Sequence, residues 1–151
     1  MNLEVLNMVL GIVAGICICL EGSFNSLLGR HVGVLKAALA PFSIGLISII
    51  IIIILFDKGK GIKITPWMEA PWYSFLGGVM AAIFVGIIIL IVPKVGITAT
   101  LTSVIVGQLM MSLFIESMGW FALERIPVSV PRVVGVLFLL AGMRLIFIKP
   151  T

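Results

Sequence analysis

Charged side chains are scarce in this chain. Only 11% of its 151 residues are Asp, Glu, Lys or Arg, against roughly 25% in ordinary soluble domains. Such a chain cannot cover a water-facing surface, which argues against a soluble catalytic or binding domain. It has a single His and two Cys, and no cluster of His, Cys or carboxylates has metal-ligand spacing. No nucleophile stands beside a base, and no Walker or GxGxxG loop is present. Neither an enzyme nor a bound cofactor is expected. The net charge of +4 and pI near 9.4 do not point to nucleic acid. The basic residues fall singly or in short groups between apolar runs, with no aromatic-and-basic stripe to stack bases. They read as anchors beside anionic lipid headgroups.

Apolar residues make up 62% of the chain, with a mean hydropathy of +1.34. Spanning a bilayer takes about 20 mainly apolar residues per helix, so five spans would use most of the length. The sequence predicts an all-α integral membrane bundle of five transmembrane helices in one domain. These cover about residues 3–22, 34–56, 72–92, 97–121 and 133–148. The first apolar run starts Met1-Asn2-Leu3-Glu4, without a positive leader or a convincing cleavage site, and reads as a retained helix. Arg144, near the end of the fifth segment, can snorkel to the headgroups.

The connections support this division. Asp57-Lys58-Gly59-Lys60-Gly61 is a polar break, and Trp67, Trp72 and Tyr73 stand where an aromatic belt would anchor the third helix. Pro93-Lys94-Val95-Gly96 reads as a tight turn. Pro127 and Pro131 bracket the last loop, with Pro131 suited to the first turn of the fifth helix. Gly11 and Gly15, and then Gly78, Ala82 and Gly86, form small-residue stripes of the kind that let helices approach closely. Cys17 and Cys19, two apart on a helix, point to different sides and suit neither a mutual disulfide nor a shared metal. His31, beside Arg30, reads as an exposed headgroup-level loop residue.

Five spans put the termini on opposite sides of the membrane. Lys58, Lys60, Lys63, Arg125 and Arg132 then share the N-terminal side, and Arg30, Lys36, Lys94, Arg144 and Lys149 the other. Five against five leaves the positive-inside rule nothing to act on. Both orientations can insert, and two copies can pair antiparallel about an axis in the membrane plane. Inverted repeats of transporters have that arrangement.

Polar groups inside a bilayer are costly and mark candidate sites. Gln108, Ser112 and Glu116 are spaced i, i+4, i+8 along one face of the fourth segment. That face reads either as a hydrogen-bonding stripe between helices or as a substrate surface, with Glu116 binding a cation or proton. Glu21 and Asn25 form a second i, i+4 pair at the end of the first segment. In an antiparallel pair, Glu21 of one copy would share a depth with Glu116 of the other.

The stretch Glu21-Gly22-Ser23-Phe24-Asn25-Ser26-Leu27-Leu28-Gly29-Arg30 resembles the end of the first helix in the small YdcZ-like family of bacterial membrane proteins, within the drug/metabolite transporter superfamily. Pro93-Lys94-Val95-Gly96, Gly107-Gln108-Leu109 and Glu116-Ser117-Met118-Gly119 resemble its helix 3–4 segment, and Arg132, Gly135 and Gly142 fit its ending. The likeness runs over essentially the whole chain. Glu21 departs from it, standing where the family pattern usually has Gln, whereas acidic residues are common at the position of Glu116. The resemblance implies a five-helix unit, half the size of the ten-helix transporters of the superfamily. The expectation is a multi-pass transporter of the bacterial inner membrane, moving a small organic metabolite or cation by alternating access in an antiparallel homodimer, with possible proton coupling. Glu21, Asn25, Gln108, Ser112 and Glu116 would bind substrate or proton. Its partners would be lipid, a small-molecule substrate and a second copy of itself. The alternatives are a non-transporting scaffold or accessory subunit, and one half of a heteromeric transporter.

Overall fold

The structure, a computed structural model, describes residues 3–56 and 65–148. It is 90% helical, with no strand among the described residues. The described residues form six α-helices in order: α1 (Leu3–Val32), α2 (Val34–Phe56), α3 (Thr65–Glu69), α4 (Leu76–Val95), α5 (Ile97–Met118) and α6 (Val130–Ile146). A 3-10 turn over Trp72–Phe75 leads into α4, and a second over Trp120–Ala122 follows α5. Among the described residues four helices are long and apolar enough to cross a membrane: α1, α2, α4 with its leading turn, and α5. At 17 residues α6 is not among them; it stands at the lower end of the roughly 17–25 residues a span uses. The break at Asp57–Gly61, Lys63 and Lys149 lie outside the described residues.

α1 continues ten residues past the expected end near residue 22 and takes in His31. The polar residues there do not break it because they bond within the helix. Ser23 Oγ donates to the Cys19 carbonyl at 2.8 Å, and Asn25 Nδ2 donates to Glu21 Oε1 at 3.3 Å. Gly33, at φ +85°, ends it, donating its N–H to the Gly29 carbonyl and accepting that of Ala37 in α2. Left-handed backbone of this kind favours glycine. Across the 30 residues, at about 1.5 Å each, α1 is longer than a hydrocarbon core of about 30 Å. α4 likewise runs through Pro93 to Val95, so the expected four-residue turn shrinks to Gly96 at φ +86°. α3 has no counterpart among the expected segments; its Trp67 stacks on Phe75 at 6.5 Å.

The chain forms two compact units, Met1–Lys94 and Val95–Thr151. In the first, Ala37 of α2 and Val85 and Ile89 of α4 are buried together, flanked by Leu28, Val34, Ala38 and Phe84. Gly29 of α1 faces this cluster so closely that a methyl there would collide with Ile89 Cγ2. The glycine thus leaves room for the branched side chain of α4 to seat against α1, the role small residues play where helices pack in lipid. Gly11, Gly15, Gly78 and Gly86 of the expected small-residue stripes face open space within the chain. Cys17 and Cys19 are free thiols on α1. In the second unit α5 packs against α6.

Candidate functional site

α5 ends three residues earlier than the expected residue 121. Gly119 adopts a left-handed conformation at φ 66° and caps it, and its N–H donates to the Glu116 carbonyl at 3.3 Å. The loop then folds back. The N–H of Ile126 reaches the same carbonyl at 3.0 Å, and Arg125 Nε donates to the Ser117 carbonyl at 2.9 Å. These contacts satisfy backbone oxygens that a helix end leaves without partners. Trp120 sets its ring edge-on to Phe114 at 5.2 Å. Phe121 and Ala122 sit at φ 58° and 60°, a region that L-residues with a Cβ seldom occupy. Ser129 then caps α6 in extended backbone, and Pro131 stands in the first turn as expected, with the helix starting at Val130 rather than residue 133.

This return places Arg132, in the first turn of α6, against Glu116, in the last turn of α5. Arg132 Nη1 donates to Glu116 Oε2 at 2.6 Å, with both side chains partly exposed. Each charge stands at the unfavourable end of its own helix. The partial negative charge at the α5 C-terminus opposes Glu116, and the partial positive charge at the α6 N-terminus opposes Arg132. The two groups offset that cost in each other. Their pairing is charge-assisted and accordingly short.

The ion pair lines a cavity of about 350 Å³ between α5 and α6, with Ser112 as its other polar side chain. Leu109, Leu113, Val136 and Leu139 supply an apolar wall, and Gly135 leaves room opposite. Ser112 Oγ donates to the Leu109 carbonyl at 2.9 Å, which leaves its oxygen able to accept a hydrogen bond. Chemically, the cavity offers a carboxylate, a guanidinium and a hydroxyl oxygen at the edge of an aliphatic surface. Its volume is at the small end of ligand pockets, about 300–1,000 Å³.

Of the residues singled out in the sequence, Ser112 and Glu116 therefore meet in one cavity. Gln108, on the same helix, is exposed and does not line it. Glu21 and Asn25 belong to the other unit, where Asn25 is buried and holds the exposed Glu21 by the hydrogen bond already described. Sequence reasoning missed Arg132 as a site residue, counting it as a loop charge and as part of the family's ending motif. The available signal was a lone arginine between Pro131 and an apolar helix, with a carboxylate before the preceding Gly turn. Among the described residues no group of three His, Cys, Asp or Glu side chains is placed to hold a metal.

Residues 6–145 match the model of the family described as "Putative inner membrane exporter, YdcZ", the family that the motifs resembled. No curated protein and no solved structure matches the chain.

Proposed function

Because the chain belongs to the YdcZ family of the drug/metabolite transporter superfamily, we propose that it is a small transporter that moves an organic metabolite or cation across the bacterial inner membrane. The observation that carries this reading is the α5–α6 cavity, where an exporter-family chain sets opposite charges on an aliphatic wall. Polar groups of this kind are retained in a membrane protein where they meet a solute or a proton. In this reading α6 is a fifth span, and two copies insert in opposite orientations and pair antiparallel, as the five-to-five charge balance favours. Rocking of the two copies then exposes the cavity to alternate sides. Ser112 hydrogen-bonds the solute, and Glu116 binds its positively charged group or a proton. Gln108 supplies a polar surface near the middle of its span, and Glu21, oriented by Asn25, is a second carboxylate site.

The test works with the solute unidentified. Cells producing the wild-type chain, Ser112→Val or Glu116→Gln at equal membrane levels are compared by mass spectrometry of the small molecules in their medium. The reading expects compounds enriched by the wild type and lost with both variants. A medium that is the same for all three would sink it in favour of a scaffold or accessory subunit.

A further inference from the structure

The charges in the α5–α6 cavity limit what can occupy it. Glu116 and Arg132 carry opposite unit charges and already satisfy each other. A cation bound at Glu116 would leave Arg132 uncompensated and close by, and an anion at Arg132 would leave Glu116 in the same state. Both side chains are partly exposed, so the cost of leaving one of them without a partner is modest, but a solute with a single charge of either sign incurs it. A neutral solute would leave the pair intact and gain only Ser112 and the wall. A solute carrying both charges escapes all three penalties, because its ammonium can take over Glu116 as its carboxylate takes over Arg132.

The pair is built for that exchange. Among the described residues it makes one hydrogen bond, Nη1 to Oε2, and Glu116 Oε1 and Arg132 Nη2 remain for a second partner. A bidentate arginine–carboxylate fork would hold more tightly and open less readily. The leucine and valine side chains opposite give an apolar group somewhere to lie, and the volume of about 350 Å³ keeps the solute small.

We propose that this cavity takes a small zwitterion with an apolar side group, of the class of aliphatic and aromatic α-amino acids, which inserts between Glu116 and Arg132. The proposal rests on the transporter reading above and names its substrate class. The test uses the full chain in liposomes, with exchange of radiolabelled L-leucine against internal leucine as the readout. Exchange at least tenfold above protein-free liposomes is expected, with L-phenylalanine competing. Isoamylamine and 4-methylpentanoate, which keep the apolar group but one charge each, should compete at least tenfold less well. Glu116→Gln and Arg132→Gln should each lower exchange tenfold or more, whereas Glu116→Asp and Arg132→Lys, which keep the charges, should retain a measurable part. An amine or acid that competes as well as phenylalanine overturns the zwitterion while leaving transport standing. Absence of leucine exchange also overturns it, and the medium comparison then decides separately whether the chain transports anything.

Discussion

Arg132 reaches back across 16 residues to Glu116, so that the first turn of α6 is tied to the last turn of α5 by a 2.6 Å ion pair. The geometry depends on the sharp return after Gly119, and it puts each charge at the end of a helix whose dipole repels it. Such a placement sacrifices some stability, which is typical of groups kept for function rather than folding.

Exchanging the two residues tests that account. Glu116→Arg combined with Arg132→Glu keeps an ion pair but matches each charge to its helix end. The double variant should be more stable than the wild type by up to about 1 kcal/mol. Each single neutralisation, Glu116→Gln or Arg132→Gln, should cost only about 0.2–1 kcal/mol, since both side chains are a third or more exposed. Thermal unfolding of the purified protein in one detergent ranks the four; a swapped pair less stable than the wild type would refute the dipole argument.

Gly29→Ala should be destabilising by about 1–3 kcal/mol, the usual effect of overpacking. The added methyl meets Ile89 Cγ2, and a β-branched side chain in a helix has little freedom to turn away. In an Ile89→Ala background the same change should cost at least about 0.5 kcal/mol less, as expected for residues in contact. A double-mutant cycle by thermal unfolding measures this. Strict additivity would show that α1 and α4 do not meet at this point.

Gly119→Ala should lower stability by about 1–2 kcal/mol, because a left-handed conformation is unfavourable with a Cβ. The new methyl would also stand 3.3 Å from Arg125 Cβ. Because the return of the loop brings Arg132 to Glu116, the proposed transport should fall along with stability. Protease sensitivity between residues 119 and 129, compared with the wild type, reports the loop directly; unchanged cleavage would mean that the cap does not hold it.

Membrane orientation tests the paired arrangement. In a variant lacking Cys17 and Cys19, single cysteines at either end are labelled with an impermeant reagent from each side of the membrane. Dual insertion predicts that each terminus is labelled from both sides in comparable amounts. Labelling of each terminus from one side alone would remove the antiparallel homodimer and turn attention to a separate chain supplying the inverted half.

Much of the helical layout was legible because apolar composition over about 20 residues leaves a chain few other options. α2 spans the residues expected, Val34–Phe56. The structure differs from that layout in the short helix α3 and at helix ends. The Glu21–Ser26 stretch looked like a boundary because its side chains are polar, yet those side chains bond within α1 and let it continue to Val32. The fourth segment, expected to reach residue 121, ends at Met118 because the left-handed Gly119 stops the helix there. Gly11 and Gly15 had the right spacing for close packing, but spacing alone does not say which glycine faces a neighbour.

The sequence by itself determined that this is a helical membrane protein of the YdcZ family, because scarce charge, long apolar runs and the order of short motifs are properties of the chain read in line. It also placed Gln108, Ser112 and Glu116 on one helix face, since the helical period is enough for that. Only the tertiary structure decided that Ser112 and Glu116 share a cavity while Gln108 does not, and that Arg132 is the partner of Glu116. That pairing depends on the backbone reversal at Gly119 and on where the loop delivers the next helix. Contacts made across a turn follow from dihedral angles and packing, which no residue spacing specifies.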